Sequence, residues 1–196
     1  MKARILSAAS AALFSVTLFT AAPLPAMAAE YTVDLSHSFI QFRTKHLGFS
    51  WLPGQFNKFE GKMTYDPAKG PAGQSISITI DMASVDTNWP ARDKHLRSPD
   101  FLNTEKFPTA TFTSTGYDGD ANGGTLSGDL TLHGVTKNIS FAITKIGEGK
   151  DPWGGYRAGF EGKYNLTRAD FDMNYNLGPA AAVVELHLMI EAIKDK

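Results

Sequence analysis

The sequence predicts an all-β protein: an eight-stranded antiparallel up-and-down barrel with one short lid helix. Three observations carry this. Apolar and polar residues alternate with period two along nearly all of the chain after residue 30. The links between these runs are short and several carry glycine, so strands adjacent in sequence are antiparallel neighbours. One segment, residues 86–103, abandons alternation for a charged, helix-compatible pattern.

The first 28 residues stand apart from the fold. Lys2 and Arg4 precede an apolar run from Ile5 to Ala22, and Ala26-Met27-Ala28 offers a small-x-small cleavage site. This is the build of a secretory signal peptide. It leaves residues 29–196 as a single domain, with 17 basic and 20 acidic residues. No basic run exists, so neither nucleic-acid binding nor a polybasic membrane function has an electrostatic footprint. The chain has no cysteine, so an exported domain of this length is held by its core alone. A periplasmic location fits these features. After the leader, no window has the ~18 consecutive apolar residues of a spanning helix.

The strands follow in order. In residues 38–46, Ile40, Phe42 and His46 share one face and Gln41, Arg43 and Lys45 the other. Residues 56–66 set Phe59, Met63 and Tyr65 against Lys58, Glu60 and Lys62, and residues 75–82 align Ile76, Ile78, Ile80 and Met82. Runs at 110–117, 125–133, 138–146 and 156–166 continue the pattern. The last, 182–193, opposes Val184, Leu186, Leu188 and Ile190 to Glu185, His187 and Glu191. Turns are expected at His133-Gly134, at Gly123-Gly124 and in "DPWGG", residues 151–155.

A closed barrel is preferred to a sandwich because closure abolishes edges, and these runs carry no edge-blocking proline. Eight strands enclose either packed side chains or one small ligand. Gly61, Ala110, Ser114, Gly128, Ala158 and Gly162 recur on the inward face, where a filled core would want bulk. They favour a ligand-sized lumen, although glycine also serves bulges and twist.

The odd segment is read as a helix over residues 89–98. Pro90 suits a first turn capped by Asn88 or Trp89, Asp93 and Arg97 form an i,i+4 pair, and Pro99 ends the helix. Its narrow apolar side, Trp89 and Leu96 continued by Phe101 and Leu102, fits a lid over one barrel end. Arg92, Lys94, His95 and Arg97 then stand at the rim.

Motifs of catalysis are absent. The five histidines lack metal-ligand spacing and have no thiolate partner, so no metal site is expected. "DFDMNYN" starts like a calcium loop but has Tyr175 at the sixth position and Ala181 at the twelfth, which rejects an EF-hand. There is no Gly-x-Ser-x-Gly elbow, phosphate-cradling loop or dinucleotide fingerprint. No cofactor and no catalytic residue are expected.

Several longer stretches carry a resemblance. "DTNWPARDKHLRSPDFLNTEKFPTATFTST", "GDLTLHGVTK", "DPWGGYRAGFEG", "HLGFSWLPGQF" and "LGPA" occur in the order and setting typical of the YceI-like family of periplasmic proteins, and the similarity covers essentially all of residues 29–196. The resemblance implies a lipocalin-like barrel whose tunnel holds a polyisoprenoid lipid, such as an isoprenoid quinone or a polyprenyl phosphate. In some relatives it implies a homodimer.

Alternation and resemblance together select candidate lipid-binding residues. At inward positions these are Ile40, Phe42, Phe59, Met63, Ile78, Ile80, Phe112, Leu130, Phe141, Phe160 and Leu188. At the mouth they are His46, Trp51, Arg92 and His95. The leading expectation is a carrier that performs no chemistry. The alternative is an enzyme acting on an isoprenoid or quinone headgroup, with His46, Arg92 and His95 as its only candidate cluster.

Overall fold

The computed structural model describes residues 28–66 and 74–196. The expected signal peptide, apart from Ala28, lies outside the described residues. Eleven strands form one sheet: β1 (Ala29–Val33), β2 (Phe39–His46), β3 (Ser50–Phe56), β4 (Phe59–Tyr65), β5 (Ser75–Asp81), β6 (Val85–Asp86), β7 (Thr109–Gly119), β8 (Gly123–Leu132), β9 (Val135–Lys150), β10 (Tyr156–Thr167) and β11 (Val183–Lys194). One helix, α1 (Pro90–Arg97), lies between β6 and β7.

The order β1-β4-β5-β7-β8-β9-β10-β11 closes through pairing of β11 with β1, giving a closed antiparallel barrel of eight strands. The other three strands extend its first staves. β2 takes over the edge of β11 at Glu185–Met189, while β1 pairs at Ala192–Lys194. β3 and β6 likewise continue β4 and β5 on the far side of short breaks.

The break between β1 and β2 has a local cause. Ser38 Oγ donates to the Glu191 carbonyl at 3.0 Å and accepts from the Glu191 amide at 2.9 Å. A buried side chain thus satisfies the ladder groups that the kinked backbone leaves behind.

Eight staves are expected and eight are present, but the first two are each built from two strands, of which alternation marks only one. The five residues of β1 are too short for periodicity to register, and Pro53 with Gly54 of β3 reads as a turn. Pro53 is tolerated because β3 pairs with β6 only through Gln55 and Phe56, leaving the other residues of its outer edge open. The barrel is therefore not free of edges at this point.

The turn at His133-Gly134 is present, with φ of 51° and 78°, the pair of positive values of a tight hairpin. Gly154 likewise has φ 86° in the 151–155 turn. The expected turn at Gly123-Gly124 is not one: both residues belong to β8, and the reversal is made by residues 120–122. Gly124 is needed for approach, since a Cβ there would stand 2.3 Å from the Asp118 carbonyl oxygen.

Helix α1 sits within the expected range but is held differently. Trp89 occupies the N-cap position without a side-chain cap bond and is 61% exposed, so it does not anchor the helix. Asp93 is buried rather than paired with Arg97: its carboxylate accepts from the Thr87 amide at 2.9 Å and from the Thr87 hydroxyl. The helix is bolted to the strand before it through Thr87, and a polar bolt left no apolar signature. Among the described residues, no helix is long and apolar enough to cross a membrane.

Candidate functional site

The barrel holds a cavity of about 250 Å³. Its walls come from nearly every stave, and the alternation read from sequence is the alternation that lines it. Ile76, Ile78 and Ile80 of β5 face inward, as do Val184, Leu186, Leu188 and Ile190 of β11. Leu96 of α1, with Phe101 and Leu102 just beyond, supplies wall at one end.

Of the inward candidates, Ile40, Phe42, Met63, Ile78, Ile80, Phe112, Leu130, Phe141, Phe160 and Leu188 line the cavity. Phe59 does not. It is buried against Val33, Ile40 and Ile78 in a packed satellite of the core, where the kinked first stave folds over it.

The mouth candidates are placed elsewhere, and none lines the cavity. His46 and Trp51 lie beyond the last β2–β11 pair, on a hairpin that projects past the barrel wall. Arg92 Nε donates to the Thr87 hydroxyl at 2.7 Å and Nη2 to the Thr87 carbonyl at 2.6 Å. His95 bonds Asp100 at 2.8 Å and packs edge-on against Phe101 and Tyr175. Of the cluster that a headgroup enzyme would need, Arg92 and His95 are each committed to a local partner, and His46 lies out on the β2–β3 hairpin.

The inward glycines do not leave holes directly. A Cβ on Gly128 would lie 2.4 Å from Phe112 Cζ, and one on Gly54 would lie 2.4 Å from Phe42 Cζ. Each glycine accepts the ring of a neighbouring stave against the wall. Phe112 and Phe42 are thereby folded sideways over residues without a Cβ, which keeps their rings out of the lumen's centre.

Two charged residues, Glu161 and Arg168, stand at this wall, and no sequence motif marks either. Arg168, in the 3-10 turn (Arg168–Phe171) that follows β10, lines the cavity. Its Nε donates to the Ala181 carbonyl at 2.8 Å, and Nη1 donates to the carbonyls of Met173 and Tyr175 at 3.3 and 3.1 Å. Among the described residues no carboxylate lies within ion-pair distance of it, and burial lowers the pKa of its guanidinium. Nothing in its neighbourhood spells a motif, because its partners are backbone carbonyls.

A second polar cluster lies at the opposite end. Asp34, His37 and Glu191 hold ligand atoms within 4.8 Å of one another. Arg157 already supplies the positive charge, with Nη1 at 2.6 Å from both Asp34 and Glu191 and Nε at 2.9 Å from Asp151. Hydrogen bonds from Ser36, His37 and Arg157 hold the Asp34 carboxyl far below the usual carboxylate range. This is an ion-pair brace across the first and last staves.

The profile of the YceI-like domain matches residues 31–192 of this chain. The chain belongs to the YceI-like family. A relative named UPF0312 protein from Pseudomonas aeruginosa (strain LESB58) is 52% identical over 180 residues, 91% of this chain and 93% of that protein. Protein YceI of Escherichia coli O17:K52:H18 is 47% identical over 185 residues, 93% of this YceI-like chain and 95% of its relative. A polyisoprenoid binding domain from Saccharophagus degradans, implicated in plant cell wall breakdown, shares the fold at TM-score 0.64 and 19% identity, covering 84% and 98% of the two chains. In this YceI-like barrel the family motifs fall on structural joints: "DTNWPARDKH" makes the helix and its Thr87 bolt, and "DPWGG" the turn whose Asp151 holds Arg157.

Proposed function

We propose that this protein is a periplasmic carrier that holds one isoprenoid lipid, an isoprenoid quinone or a polyprenyl phosphate, in the barrel lumen and performs no chemistry on it. The observation that carries this reading is the cavity: surrounded by the barrel, bordered by the helix, and walled mainly by Ile, Leu, Phe, Met and Val. Apolar walls discriminate poorly among headgroups but reward length. Burying some fifteen apolar carbons at about 0.8 kcal/mol each is worth on the order of 12 kcal/mol before ordering costs. A structural neighbour that binds polyisoprenoid supports the choice of a branched chain over other apolar cargo. The leader pattern in residues 1–28 supports export.

Arg168 is the cationic wall residue: Nε and Nη1 are held by backbone carbonyls, and Nη2 is the guanidinium nitrogen left to meet a phosphate or a quinone carbonyl. The test is mass spectrometry of an organic extract of the protein purified from its own periplasm. A polyprenyl species in near-equimolar amount is expected. An extract holding only straight-chain acyl lipids, or no lipid, overturns the proposal.

A further inference from the structure

The β2–β3 hairpin exposes what a soluble barrel ordinarily hides. Leu47 is 62% exposed, Phe49 87% and Trp51 40%. Leu47 and Gly48 make the turn with φ of 52° and 85°, closed by the Phe49 amide donating to the His46 carbonyl at 2.9 Å. A leucine at a left-handed position, with its side chain in water, is a cost that the barrel itself does not require. The last β2–β11 pair is Arg43 with Glu185 and Thr44 Oγ1 still donates to the Val183 carbonyl, but Lys45 and His46 pair only with β3.

Arg43 at the base of the hairpin is paired with Glu185 at 2.7 Å, so the uncompensated charge around the tip comes from lysine and arginine farther out. Arg43 and Lys45 lie over the Trp51 ring at 4.1 and 4.2 Å from its centre. Among the described residues no carboxylate lies within ion-pair distance of Lys45 on the hairpin, nor of Lys94 and Arg97 on α1. Trp89, also exposed, follows β6, which runs antiparallel to β3 and so heads toward the same end. Thr44 of β2 and Leu96 of α1 both line the cavity, so this apolar and basic rim borders the end where the helix closes the barrel.

We infer that the β2–β3 hairpin docks the protein on an anionic phospholipid bilayer, with Leu47 and Phe49 entering the interface and Lys45, Lys94 and Arg97 facing the headgroups. Exposed aliphatic and aromatic tips take up interfacial hydrocarbon, and cations bordering them are drawn to anionic lipid at about 1 kcal/mol each. The indole stacked under two cations is at home at headgroup depth. Docking there sets the helix-covered end of the barrel against the membrane, where a lipid passes between lumen and bilayer without crossing water. That last step rests on the carrier reading; the docking does not.

The experiment is flotation of the intact protein with vesicles of phosphatidylcholine alone or with about a third phosphatidylglycerol. The wild type is expected to float with the anionic vesicles and to lose most binding in high salt. The double variant Leu47→Ser, Phe49→Ser should bind at least about tenfold more weakly while keeping its melting temperature and its extracted lipid. A wild type that stays unbound, or a double variant that floats as well as wild type, overturns the docking. Sedimentation showing a wild-type dimer that the double variant splits, with vesicle binding retained, assigns the hairpin to a second copy of this chain and also overturns it. A protein that floats but carries no isoprenoid leaves the docking standing and removes the cargo.

Discussion

The ring of Phe112 lies over Gly128, with Cζ 2.4 Å and Cε2 2.6 Å from where a Cβ at residue 128 would stand. This one contact keeps a large side chain on the wall of the lumen instead of in it. Gly128→Ala forces the ring into the cavity and also meets the Thr113 carbonyl oxygen at 2.6 Å, so the strands must part slightly. We expect a stability loss of about 1–3 kcal/mol, the usual cost of overpacking, and a marked drop in co-purified lipid. Gly162→Ala is the control: its nearest contacts, Phe141 Cε2 at 3.1 Å and Ile143 Cγ2 at 3.3 Å, are side-chain atoms that can yield. Its stability should stay within about 1 kcal/mol of wild type. Denaturant melts and lipid mass spectrometry on both variants check the pair.

Leu96 is the helix residue that touches the lumen, whereas Trp89 is largely in water. Leu96→Ala should lower stability toward the lower end of the ~2–5 kcal/mol range for buried truncations and should speed lipid release. Trp89→Ala should change stability by no more than about 0.5 kcal/mol. Equal effects of the two on melting and on release rate would mean that the helix does not close the barrel.

Arg168→Met removes the guanidinium and keeps the apolar stem. Polyprenyl phosphate should then bind at least about tenfold more weakly, while an isoprenoid quinone should change by about threefold or less, because only the phosphate offers a full anion to the guanidinium charge. The loop from Met173 to Ala181 loses its brace as well, so melting temperature must be read beside affinity. Equal losses for both lipids would assign Arg168 to the loop alone.

The Arg157 brace predicts an acid limit. Asp34 and Asp151 titrate below their ordinary values when folded, Asp34 chiefly through Ser36 and Asp151 chiefly through Arg157. A carboxylate whose folded pKa is depressed contributes stability above its unfolded value, near 4, and loses it as pH falls toward the folded one. Melting temperature should therefore be level above about pH 5 and decline below about pH 4. Arg157→Gln should melt lower at neutral pH and show a shallower decline, since Asp151 returns toward an ordinary value. Parallel curves for the two proteins would show that the acid limit lies elsewhere.

The sequence by itself determined most of the side chains that face the lumen, Phe59 and His46 excepted, because alternation is a property of the pleat and needs no knowledge of the partner strand. It also determined the number of staves and the place of α1, since Pro90, Pro99 and the loss of alternation are local signals. Tertiary structure decided what happens where strands run out of partners. Whether His46 and Trp51 reach a mouth depends on β11 ending at Val183, more than 130 residues away. Whether Arg92 is a free rim charge depends on Thr87, and whether Arg168 is one depends on a loop of carbonyls. Asp34 and Arg157, 123 residues apart, meet only because the barrel closes. Side-chain direction follows from the neighbouring residue; side-chain partnership at a barrel's ends follows from closure, which no local pattern encodes.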